Sequence, residues 1–139
     1  MSYEEKGVWI YLGVALVTFG IYVGIILGRA GEIPITEVPY VSTMLWMIGV
    51  SVLLSVLTRV AVELATPSDM HQADARDKEI NRFGEYVGGV VLAIGVLVPL
   101  VLAFTEADHF WIANAIYAAF ILQAVSSSAV KLYVYRRGL

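Results

Sequence analysis

TPSDMHQADARDKEINRFGE, residues 66–85, is the stretch that decides how this chain is read. It is the only long charged run, and it lies near the middle of 139 residues. On each side stands a pair of apolar segments too long and too bare of charge for the core of a water-soluble protein. The whole chain is 59% hydrophobic and 15% charged, against about 25% charged in an ordinary soluble domain.

Working outward, the first apolar run is Gly7–Gly28, without a charge. A helix rises ~1.5 Å per residue, so about 20 residues cross a ~30 Å hydrocarbon layer. In lipid the backbone must satisfy its own hydrogen bonds, which makes helix the form for such a run. The opening MSYEEK is acidic, and no small-residue cleavage site follows. It therefore reads as a retained span and not a cleaved signal. Arg29–Val41, with Gly31, Pro34 and Pro39, reads as a loop. Ser42–Ala65 is the second span, stopped before Pro67. Tyr86–Phe104 is the third, and Pro99 within it predicts a kink near Gly95. Trp111–Val134 is the fourth. The fold expected is an all-α, integral membrane four-helix bundle, two tandem transmembrane hairpins in a single domain. A short cytoplasmic amphipathic helix lies between them, in segment 66–85. Met70, Ala73, Asp77, Ile80 and Phe83 fall on one face of it.

Basic residues collect on the cytoplasmic side of membrane proteins. Lys6, Arg59, Arg76, Lys78, Arg82, Lys131, Arg136 and Arg137 all fall on one side of this layout, and Arg29 alone falls on the other. The expectation is an inner-membrane protein with both termini and the charged middle in the cytoplasm. His71 and His109 are then on opposite faces, which disfavours a two-histidine metal or haem site. There is no cysteine, and the net charge of −3 gives no reason to expect nucleic acid. No cofactor is expected.

Several residues are candidates for more than spanning. Gly13, Gly20, Gly24 and Gly28 share a face of the first span, and Gly84, Gly88 and Gly95 share one on the third. Small residues let helices approach closely in lipid. One reading packs the first span on the third; the other makes a homo-oligomer seam. Ser51, Ser55, Arg59 and Glu63 recur at intervals of four and form a polar stripe on the second span. Ionisable residues within a span are functional candidates, although Arg59 can snorkel to the inner interface and pair with Glu63. Gln123 is the deepest polar side chain, with Ser127 one turn on. These two either line a hydrated path or bond a neighbouring helix, and Asn114 reads likewise. Asp77 breaks the apolar face of the cytoplasmic helix and is expected to pair with Arg59 or Lys131. A shift of about 75 residues superposes Tyr11 on Tyr86, Gly13 on Gly88, Gly20 on Gly95 and Ser51 on Ser126. That raises a parallel duplication of the two hairpins.

At Asp74–Ile80, DARDKEI, the chain resembles a group of small uncharacterised prokaryotic membrane proteins, a domain of unknown function. Their four spans are split by a D-E-R-D-type cytoplasmic motif that runs into the third helix. Asp74, Arg76, Asp77 and Ile80 keep that pattern, with Ala75 where the glutamate often stands. The resemblance implies the four-span layout and no activity.

No Ser–His–Asp set can converge across the membrane, no carboxylate pair lies within a span and no phosphate loop is present, so an enzyme is not expected. The leading expectation is a structural or protein-interaction role in the lipid bilayer, as a small homo-oligomer or with a cytoplasmic protein partner. The alternatives are a small oligomeric channel or transporter, with a polar path along the second and fourth spans, and a binder of lipid or a hydrophobic ligand.

Overall fold

A backbone that has no water to bond must bond itself, and every apolar run in this chain is helical. The computed structural model describes residues 3–65 and 75–138. Helix α1 is Tyr3–Arg29, α2 is Val41–Ala65, α3 is Ala75–Gly95, α4 is Leu97–Phe104 and α5 is His109–Arg137. Four stretches are long and apolar enough to cross a membrane: Glu4–Arg29, Val41–Ala61, Ala75–Phe104 and His109–Arg137. The protein is thus an all-α four-helix bundle of the multi-pass membrane class. Its outward faces agree: Trp46, Leu64 and Phe104 are largely exposed, as suits side chains solvated by lipid.

The third span is α3 and α4 together, broken at Val96. Pro99 has no N–H for the carbonyl of Gly95, and the helix loses its regular ladder there. Val96 still bonds back to Leu92 at 2.9 Å, so the break bends the span without dividing it. The amphipathic stretch is helical from Ala75, but it is not a separate element. It runs without interruption into the third span as the first turns of α3. Nothing in Ala75–Gly95 stops a helix, and one unbroken ladder leaves fewer backbone ends to satisfy. The expected start of that helix, with Met70 and Ala73, lies outside the described residues, as do His71 and Asp74.

Helix α5 is the hub. It packs along α3, on α4 and on α1, while α2 packs chiefly on α1. The order across the bundle is α2, α1, α5, α3. A two-fold arrangement of the hairpins would match the α1–α5 contact with one between α3 and α2, and no comparable contact forms among the described residues.

The apolar core lies at one end, where Tyr22, Ile26, Val38, Phe110 and Tyr117 are buried together. Phe19 meets Tyr117 edge-on at 5.2 Å, and Tyr40 meets Phe110 at 5.3 Å. The Tyr22 hydroxyl donates to Asn114 Oδ1 at 2.5 Å, so Asn114 does bond a neighbouring helix. The loop after α1 is pinned by Arg29, which donates to the carbonyl of Pro39 at 2.9 Å and to Thr43 Oγ1 at 3.0 Å. The turn between α4 and α5 closes by two bonds, Glu106 N–H to Ala103 O and Ala107 N–H to Leu102 O. That motif needs a left-handed residue, and Glu106 supplies it at φ 55° where glycine is usual.

Candidate functional site

Because α2 leans on α1 and not on α5, a groove opens between α2 and α5 with α1 as its floor. Its volume is about 550 Å³. Ser51 and Ser55 line one wall, Phe120 and Gln123 the other, and Tyr11 and Ala15 the floor. Three polar residues that the sequence places on different spans therefore share one apolar groove. The rest of the expected path does not join them. Arg59 and Glu63 are not among its lining residues, and neither is Ser127.

Arg59 lies instead at the seam of α1 and α2. Its Nη2 stands 3.4 Å from Glu4 Oε2. Gly7 makes room for it, since a Cβ there would lie 3.2 Å from Arg59 Nη1. The spacing of the stripe pointed to Glu63 as the partner; the structure supplies one from another helix.

The α3–α5 seam holds the other charged cluster. Asp77, Ile80, Gly84 and Gly88 form the buried stripe of α3, at steps of three and four. Facing them are Gln123, Ser127, Lys131 and Tyr135, each four residues apart on α5. The Lys131 ammonium lies 2.5 Å from Glu85 Oε1, and Ser127 Oγ donates to the same oxygen at 3.3 Å. The stem of Lys131 crosses Gly84 so closely that a Cβ there would collide with its Cγ. One turn further, a Cβ on Gly88 would lie 2.9 Å from Ser127 Cβ and 3.1 Å from Gln123 Nε2. Gly95 sits against Ala119.

The reading that packs the first span's glycines on the third span is corrected accordingly. The third span's glycines do pack, against the fourth span and not the first. Gly13, Gly20, Gly24 and Gly28 have nothing within 4 Å of a built Cβ. Helix α1 buries the opposite side, through Ala15, Thr18, Tyr22 and Ile26.

The motif residues serve the same seam. The Tyr135 hydroxyl donates to Asp77 at 2.8 Å. Arg76 donates to the Tyr135 carbonyl at 3.2 Å and sits 5.8 Å from the centre of its ring. Ile80 is fully buried. The two cations expected for Asp77 are engaged with other carboxylates, Lys131 with Glu85 and Arg59 with Glu4. The sequence reading missed Glu85, placing it at a span boundary. One signal was present: Ser127 and Lys131 at i,i+4, facing a third span whose Gly84 and Gly88 repeat at the same interval.

No family model, curated protein or solved structure matches this chain. Function is therefore argued from the groove and the seam themselves.

Proposed function

We propose that this is a non-enzymatic interaction protein of the inner membrane, with both termini in the cytoplasm. Its working part is the α2–α5 groove, which receives an apolar segment from outside the chain. The observation that carries the reading is the open packing: α2 rests on α1 and stands off α5 across about 550 Å³. A cleft of that size, apolar with a few polar groups, is of the kind that binds. It opens sideways, which supports docking of a membrane-embedded segment over a solute path through the bundle. The distribution of Lys and Arg supports the orientation.

Two measurements test this. The chain has no cysteine, so Ala75→Cys, at an exposed position, introduces a single reactive thiol. An impermeant maleimide is expected to label it only after the inner membrane is opened, and to label Glu32→Cys before. Labelling of Ala75→Cys in intact cells overturns the orientation. For the groove, a photoreactive side chain at Phe120 is expected to form an adduct with a membrane-spanning peptide identified by mass. The same group at Leu97, exposed on α4, is expected to form none. Adducts with phospholipid alone at Phe120 would reject docking of a protein segment.

A further inference from the structure

We infer that the segment received by this groove is a transmembrane helix carrying a polar side chain at the middle of the membrane. The inference rests on the docking reading above and names its chemistry. Gln123 is the middle residue of His109–Arg137. Ser51 is the middle residue of Val41–Ala61. Both line the groove. Among the described residues, the Gln123 amide makes no hydrogen bond, and it is not sealed inside the bundle, because no buried side-chain polar atom there lacks a partner. Gln123 lines the groove, with its Nε2 on the side of α5 that faces Gly88, at the depth where water is scarcest.

A hydrocarbon tail offers such an amide nothing. The esters and headgroups of a phospholipid lie at the edges of a layer about 30 Å thick, half that thickness from Gln123. A second helix differs: its backbone is already satisfied, and an Asn, Gln, Ser or Thr at its centre can both donate and accept. The groove's shape agrees. Ala15, Ser51, Ser55, Ala113 and Ala124 are among its lining residues, and small side chains admit a helix backbone closely.

The test uses the full chain in phosphatidylcholine vesicles, with a donor dye on Thr105→Cys. The probes are acceptor-labelled synthetic spanning helices of leucine and alanine. One is wholly apolar, one has a central Asn, and one has the Asn two turns off centre. The central-Asn helix is expected to associate about tenfold more tightly than the apolar one, the equivalent of 1.4 kcal/mol. The off-centre helix is expected to match the apolar one. Gln123→Leu is expected to erase the tenfold advantage and leave the apolar helix's binding unchanged. Gln123→Met, closer in shape, guards against a folding defect and is expected to do the same. Equal binding of all three helices to the unmodified protein overturns the inference and leaves the docking reading standing. Failure of all three to bind overturns both.

Discussion

Gly88→Leu is expected to force α3 off α5. The argument is geometric. A Cβ at residue 88 would already lie 2.9 Å from Ser127 Cβ, 3.1 Å from Gln123 Nε2 and 3.3 Å from the Gln123 carbonyl. Two of those atoms sit at or next to the α5 backbone and cannot swing away. Alanine alone requires the helices to shift, at about 1–3 kcal/mol for such overpacking. Leucine adds three carbons where there is no room for one, so a loss above about 3 kcal/mol is expected, in the range that marks a named structural failure. Gly20→Leu and Gly24→Leu are the controls: the added side chains meet open space on α1, and changes within about 0.5 kcal/mol are expected. Denaturation by titrated dodecyl sulfate, followed by circular dichroism, reads all three. Gly88→Leu unfolding with the parent would mean that the two helices do not meet at this point.

The same contrast shows how much could be read from the chain beforehand. The four spans were legible because length and lack of charge suffice to mark them, and lipid leaves helix as the form they take. The break at Val96 was legible because Pro99 removes one identifiable bond. The partners of each span were not. In water, an apolar stripe marks the inside of a helix. In lipid, the outside is as apolar as the core, so the glycines of α1 and those of α3 make the same pattern and have opposite fates. Helix α1 leaves Gly13, Gly20, Gly24 and Gly28 outward and packs through Ala15, Thr18, Tyr22 and Ile26 instead.

The polar stripe of α2 misled for a different reason. At about 100° per residue, a step of four overshoots a full turn by about 40°. Ser51 and Ser55 are one step apart and share the groove. By Glu63, three steps from Ser51, the stripe has turned by about 120°. Arg59 thus points to α1 and finds Glu4, which precedes it by 55 positions. Spacing identifies neighbours within one helix, and the cross-helix charge pairs Arg59–Glu4 and Lys131–Glu85 lie beyond its reach.

The Lys131–Glu85 pair carries the second large effect, and its two halves are expected to behave unequally. The Lys131 side chain is 11% exposed, whereas that of Glu85 is 54% exposed. Glu85→Leu strands an ammonium in the α3–α5 seam, where Gly84 fits closely beneath its stem. Losing one partner of a fully buried pair costs about 3–5 kcal/mol; with Glu85 half exposed, solvent brings the expected loss to about 2–3 kcal/mol. Lys131→Met strands a carboxylate that water already reaches and that still accepts from Ser127. Solvent screening reduces that loss to the scale of an exposed pair, about 1 kcal/mol. Glu85→Leu with Lys131→Met removes both charges and leaves an apolar seam of similar volume. Its stability is expected within about 1 kcal/mol of the parent, since replacing a buried pair outright is often neutral. The double variant should therefore be more stable than Glu85→Leu alone, a coupling that a double-mutant cycle measures directly. Two results would refute this account: Lys131→Met proving as damaging as Glu85→Leu, or the two losses simply adding. Either would mean that the ammonium is held by solvent or by another group, and that Glu85 does not determine how α5 sits on α3.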